Sequence, residues 1–325
     1  MKNRFVKEYL GWVIVLAVAA ALPLILTTNY YYQLFTQILI YTIATVGMTI
    51  IFGWSGQMNL GSIGIVGIGC YSAALLAQHL GVSDWRALLL GIAAGPVIGI
   101  CLGFPALRVK GVYLVITTLS FATIVYSLMN NAVGLTGGPA GVYVEPLKIL
   151  GISFSNKRAY YYFCLAVTAL VILFVKRLNK YKFGRTMRAV RDNPDAAEAL
   201  GVNTVRMNIL AFVLSATCCT ISGVLYLYMS RMAAPKLFTT GQGTQYLLML
   251  IIGSIGSIPG AVIGATVITV LPEILQSIGI FGTNYKLVYY LILFTIVMVY
   301  PWGLFNLGKA AVAKVRDALH RKGEK

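Results

Sequence analysis

Few side chains in this sequence can do chemistry, and their spacing narrows what chemistry is left. Across 325 residues there are nine acids, two histidines and five cysteines. Cys70, Cys101, Cys164, Cys218 and Cys219 all lie in apolar runs without a CxxC spacing. They read as small apolar residues, neither disulfide partners nor ligands. His79 closes an apolar run and His320 sits in a polar tail, so no histidine-based metal site or catalytic triad can be assembled, and no cofactor is expected. Among Glu8, Asp84, Glu145, Asp192, Asp195, Glu198, Glu273, Asp317 and Glu324, only Glu273 interrupts an apolar run. Asp192, Asp195 and Glu198 form the one acid cluster, but basic residues surround it and no apolar cleft adjoins it. A membrane enzyme would need more. The stretch Gly303-Leu304-Phe305-Asn306-Leu307-Gly308-Lys309-Ala310 has the glycine and lysine spacing of a P-loop, yet it lacks the magnesium-binding hydroxyl and ends an apolar run. The chain therefore does not supply its own nucleotide chemistry.

Polar groups inside apolar runs are more telling. Residues 53–62 read Gly-Trp-Ser-Gly-Gln-Met-Asn-Leu-Gly-Ser, which brings three glycines and several hydrogen-bonding side chains into a hydrophobic segment. In lipid, irregular backbone survives only where it is buried in protein or lines a watery cavity. Gln57, Asn59 and Ser62 are thus candidate path-lining groups, the alternative being glycine used for close helix packing. For Gly95-xxx-Gly99-xxx-Gly103 and Gly256-xxx-Gly260-xxx-Gly264, packing is the preferred reading. Thr117, Thr118 and Ser120 interrupt another run and are also path candidates, with back-bonding to the preceding turn as the alternative. Thr136 joins them from a turn-rich stretch, Leu135-Thr136-Gly137-Gly138-Pro139-Ala140-Gly141.

A third pattern lies outside the apolar runs, in loop 176–208. Asn193 suits an N-cap, Pro194 a first helical position and Gly201 a C-terminal cap. The enclosed helix, 194–200, would be about 10 Å long. Asp195 complements its dipole, and Asp195 and Glu198 share a face while Ala196 and Ala197 keep it slim. Such a turn fits insertion into a groove on a partner; it also fits a solvated connector whose Arg188 and Arg191 meet lipid phosphates.

The elements that must position these groups follow from composition. Hydrophobic residues make up 58% and charged residues 11%, with a mean hydropathy of +0.81. That excludes a soluble enzyme and a disordered chain. Apolar runs long enough to cross a bilayer fall near 9–26, 34–53, 60–78, 87–107, 111–130, 159–175, 207–229, 246–258, 260–278 and 286–305. The chain reads as an all-α integral membrane protein of about ten transmembrane helices, some discontinuous, forming one domain over 1–325. The runs either side of Pro259 cross twice or form a re-entrant pair. Of 26 lysines and arginines, 19 cluster before Leu10, at 108–110, in 176–208 and after Gly308. With both termini cytoplasmic, all four patches fall on one side, as the positive-inside rule requires. The +17 net charge therefore reports orientation and contact with anionic lipid, not nucleic acid. Residues 1–26 are expected to be retained as a signal anchor.

At loop 176–208 the sequence resembles the EAA-type loop of ABC-importer permeases, and in detail the LivM-type permeases for branched-chain amino acids. The stretches that carry the resemblance are GQMNLGSIGIVGIGCYSAALL (56–76), LRVKGVYLVITTLSFATI (107–124), LTGGPAGV (135–142), GRTMRAVRDNPDAAEALGVN (184–203), IIGSIGSIPGAVIGA (251–265) and VYPWGLFNLGK (299–309). They span nearly the whole chain in order. RVKGVYL and TTLSF favour the LivM-like subunit over its LivH-like companion. The resemblance implies a permease subunit in a bacterial inner membrane, importing branched-chain amino acids. Its implied partners are a second homologous permease, two cytoplasmic ATP-binding subunits and a periplasmic or extracellular amino-acid-binding protein. Asp192, Asn193, Pro194, Asp195, Ala196, Ala197, Glu198 and Gly201 would form the coupling helix that docks on an ATPase, with Asp195 standing where glutamate is common. A urea- or short-amide-type permease is the alternative within the class. An ion-coupled carrier built on Glu273 is the alternative outside it.

Overall fold

The computed structural model describes residues 16–21, 28–79, 81–109, 111–149, 151–278, 284–300 and 303–307. Most of the expected first span and all of the basic tail after Leu307 lie outside the described residues. The principal helices are α1 (Asn29–Met48), α2 (Ser62–His79), α3 (Asp84–Ala106), α4 (Val112–Asn131) and α5 (Lys157–Lys180). The short α6 (Lys182–Asp192) and α7 (Pro194–Ala199) follow, then α8 (Thr204–Ser230), α9 (Thr240–Gly253), α10 (Ile258–Ile278) and α11 (Tyr285–Val299). Among the described residues, seven helices are long and apolar enough to cross a membrane: α1 with its extension, α2, α3, α4, α5, α8 and α10. The 14-residue α9 and 15-residue α11 fall short of the ~20 residues that a straight crossing takes.

The α8 helix is the hub. Its 27 residues run about 40 Å at 1.5 Å per residue, and α1, α2 and α3 pack around it. Small residues make this possible. A Cβ added to Gly99 on α3 would sit 2.5 Å from the Val213 backbone of α8, and one on Gly95 would meet Thr217 at 2.8 Å. The α9–α10 pair depends on the same device, since Gly253 and Gly260 abut and Gly264 presses on the Met249 carbonyl. Gly95, Gly99, Gly260 and Gly264 thus serve close helix packing, where backbones approach without side chains between them, whereas Gly256 lies in the turn between α9 and α10. Threonines inside the bundle return their hydroxyls to the preceding turn: Thr36 to Tyr32 O at 2.7 Å and Thr42 to Ile38 O at 2.8 Å.

Two ends of the bundle can be told apart. At one, Val142–Tyr143 pairs antiparallel with Met232–Ala233, Lys148–Ile149 pairs with Ile152–Ser153, and His79 Nε2 meets Leu135 O at 3.1 Å. At the other lie α6, α7 and the break between α9 and α10, where Ser254 (φ 112°) and Gly256 (φ 84°) take positive φ. Two expected boundaries shift. The run expected at 246–258 is helical from Thr240 and stops at Gly253, because Ser254 leaves helical φ. The run expected at 286–305 stops as helix at Val299, two residues before Pro301, whose ring disfavours helix in the residue before it.

Candidate functional site

The break between α1 and α2 is where the irregular sequence 53–62 resolves. The last turn of α1 widens into a π-helical segment, Thr49–Trp54, and Ser55 N bonds Ile50 O at 3.1 Å across five residues. Gln57 N then reaches Ile51 O at 3.0 Å. Beyond it the chain climbs as irregular backbone to Ser62, where α2 begins. Two amides on this climb find side chains. Leu60 N donates to Thr118 Oγ1 at 3.1 Å, and Gly61 N donates to Asn59 Oδ1 at 2.7 Å. Ser62 Oγ donates to Asn59 O at 3.4 Å. Thr118 in turn donates to Leu114 O at 2.9 Å. Two atoms remain without a hydrogen-bonding partner among the described residues, Asn59 Nδ2 and Gln57 Oε1, both buried. A buried unsatisfied polar atom costs roughly 1–3 kcal/mol, which makes this segment unusual among those of the bundle.

The candidate path residues therefore divide. Gln57, Asn59, Ser62 and Thr118 converge on the α1–α2 break and are held by α4. Thr117 and Ser120 sit on the outward face of α4, both exposed, with Thr117 Oγ1 on Tyr113 O at 2.8 Å. Thr136 is elsewhere, at the strand-bearing end, where its hydroxyl donates to Met129 O at 2.7 Å and receives Gly138 N at 3.2 Å. It holds a turn.

The outward face of α4 carries more than the sequence reading picked out. Leu114, Thr118, Ala122, Val125 and Met129 form its buried side. Thr117, Ser120, Thr123, Ser127 and Asn131 are exposed, and steps of three and four residues place them on one stripe. Ile116, Ile124 and Leu128 are exposed on the same face, so the polar groups there are mixed with apolar ones, whereas α3 (Leu89, Leu90, Val97, Ile100, Phe104) and α5 (Leu170, Leu173, Phe174) expose apolar residues along their length in the bundle. The signal was present in the sequence as a period of three to four polar residues, but only burial tells which face it occupies.

At the basic end, α6 and α7 form the loop expected from its caps. Asn193 Oδ1 accepts from Ala196 N at 3.0 Å. Gly201 has φ 79°, its N–H reaches Glu198 O at 2.8 Å, and Val202 N reaches Ala197 O at 3.0 Å. These are the two bonds of a Schellman stop. Ala197 is buried, whereas Asp195 and Ala196 are exposed, and Leu200 stands 85% exposed. Glu198 accepts a hydrogen bond from Thr204, so it helps to close the turn. Asp192 receives Arg191 Nε at 2.9 Å. Glu273 lies far from this end: its carboxylate accepts from Tyr30 OH, in the first turn of α1. No group of three or more metal-binding side chains occurs among the described residues.

A family model described as the branched-chain amino acid transport system permease component matches residues 30–299. The chain belongs to this permease family. Similar proteins include the high-affinity branched-chain amino acid transport system permease protein LivM of Escherichia coli, 30% identical over 83% of this chain and 69% of the relative. LivM of Salmonella typhimurium is 29% identical over the same shares. LivH of Salmonella typhimurium is 28% identical over 85% of this chain and 93% of the relative. No solved structure matches the chain. The matched span of this permease-family chain takes in the α1–α2 break, the α4 stripe and the α6–α7 loop, so all three belong to the permease fold.

Proposed function

We propose that the chain is one membrane half of an ABC importer for branched-chain amino acids, of the LivM type, in the inner membrane of a bacterium. The helices, short α9 and α11 included, alternate between the two ends of the bundle. With the basic end cytoplasmic and a first span before α1, this gives about ten crossings and cytoplasmic termini. A second homologous permease completes the membrane part. Two ATP-binding subunits dock below it, and a periplasmic or extracellular binding protein delivers substrate. That LivM and LivH proteins both resemble this chain supports pairing with a related but distinct subunit.

The observation that carries this reading is the α7 turn. It is capped at both ends, stands outside the apolar bundle, and presents Asp195, Ala196 and Leu200 outward. An exposed leucine beside an acidic, alanine-lined turn suits a groove on a soluble partner. The substrate path follows the outward stripe of α4, with Thr117 and Ser120 at its basic-end half. Hydroxyls offer a hydrated zwitterion successive weak partners. The α1–α2 break, with Gln57, Asn59, Ser62 and Thr118, backs that wall and lets it shift between two arrangements.

The test is recovery of partners from native membranes. The tagged wild-type chain should bring down an ATP-binding subunit and a second permease, and Asp195→Arg/Leu200→Glu should lose the ATP-binding subunit while keeping the permease. Asp195→Arg leaves the Glu198–Thr204 bond intact, so the turn itself survives. Recovery of the chain alone, with uptake independent of ATP, would sink the proposal.

A further inference from the structure

One side chain joins the docking turn to the membrane break. Arg191 is the penultimate residue of α6, two before the Asn193 cap of α7. Its Nη1 donates to Gly53 O at 2.6 Å, a bond linking positions 138 apart in sequence. Gly53 lies in the π-helical end of α1, whose terminal carbonyls lack intrahelical partners, and a cation there also complements the helix dipole. The guanidinium is held in place from behind, with Nε and Nη2 both on Asp192 Oδ1 at 2.9 and 2.8 Å.

The other side of Gly53 meets a second break. Its Cα has no room for a side chain, because Gly256 at the α9–α10 tip packs directly against it. Trp54 Nε1 donates to Gly256 O at 3.4 Å. The tip also touches the segment after α11: Gly303 packs on the Ser254 backbone, and Asn306 Nδ2 donates to Ser254 Oγ at 3.0 Å. Gly56, at φ 70°, leaves the space that the Arg191 stem occupies, since a Cβ there would lie 2.5 Å from Arg191 Cγ. A guanidinium, a carbonyl and three glycine contacts thus connect the end of α6 that leads into α7, the end of α1 and the tip of the α9–α10 hairpin in one chain of contacts.

We infer that Arg191 is a positioning residue that locks the docking turn to the α1 end and the hairpin tip, so that the three move as one body. This rests on the ABC-permease reading: a displacement imposed on α7 is delivered to the breaks in α1–α2 and α9–α10 through Gly53. Without Arg191, α7 can still dock, but its motion dissipates in the loop.

The experiment uses the importer complex purified with the full chain and reconstituted in liposomes, with radiolabelled leucine as the probe. Arg191→Ala should retain wild-type amounts of ATP-binding subunit and keep hydrolysing ATP, while leucine moved per ATP falls about ten-fold, within the usual range of a coupling between sites. Arg191→Lys keeps a donor for Gly53 O and should restore most of the ratio. Gly56→Ala keeps the charge but displaces the stem, and should reproduce the loss. A second readout needs no substrate: spin labels at Ala199→Cys and Ile255→Cys, with exposed Cys101 changed to alanine. Their distance distribution should be the same with and without nucleotide when Arg191 is present, and should broaden on Arg191→Ala. An unchanged leucine-to-ATP ratio in Arg191→Ala, or uptake lost only in proportion to lost ATP-binding subunit, overturns the inference. So does a label distance that ignores the substitution. If the wild-type complex moves no leucine, the functional reading fails, and the label distances still decide the role of Arg191.

Discussion

Asn193 and Gly201 bracket the α7 turn, and each is chosen by local chemistry. The asparagine carboxamide takes the Ala196 amide that no earlier turn can satisfy, and the glycine adopts a positive φ of 79° that a Cβ would strain. A six-residue helix cannot persist on propensity alone, so its caps decide whether it is formed. Asn193→Ala should weaken the turn by about 1 kcal/mol, read as roughly five-fold faster amide exchange across 194–199. Protection that does not change would show that α6 and α8, not the cap, hold the turn. Both caps were legible in the sequence because a cap is a local interaction between near neighbours. Leu200 was not, since its 85% exposure is a property of what surrounds it.

At the scale of the element, α4 shows why periodicity alone left Thr117, Thr118 and Ser120 together. The three lie within four residues, yet Thr118 turns inward to cap the entry to α2 while its neighbours face out. A cysteine scan separates the two faces. In a chain with Cys101 replaced, cysteines at Thr117, Ser120, Thr123 and Ser127 should react with a membrane-impermeant thiol reagent, with leucine slowing the reaction. Cysteines at Val112, Leu119 and Leu128, on the flanks of the stripe, should react several-fold more slowly. Uniform protection along the helix would place the stripe against lipid, where back-bonding of the kind seen for Thr117 and for Thr123 to Leu119 O at 3.1 Å is enough to satisfy hydroxyls. The π-helical end of α1 belongs to this scale too. Such segments concentrate at functional sites, and here the widened turn carries Gly53 to Gly256.

For the whole molecule, the question is where the energy for transport enters. An ion-coupled carrier needs a titratable group facing the path, and Glu273 is bound instead to Tyr30 in the first turn of α1, at the strand-bearing end. Glu273→Gln should therefore leave leucine uptake within about two-fold of wild type and fully dependent on ATP, since no interaction along the path is removed. Uptake that collapses while ATP hydrolysis continues would restore the carrier reading. Composition, apolar run length and the placement of basic patches determined by themselves that the chain is a helical membrane protein. They suffice because the bilayer imposes length, polarity and charge bias on each segment separately. Local caps located the α7 turn for the same reason. The tertiary structure alone decided which polar residues face each other, that Asn59 and Thr118 close one break while Arg191 bridges to Gly53, and that α9 ends at Ser254. Those outcomes depend on close approach between distant segments, some more than 200 residues apart, as with Trp54 and Gly256 at a separation of 202, and no local pattern in the chain encodes which backbones will meet.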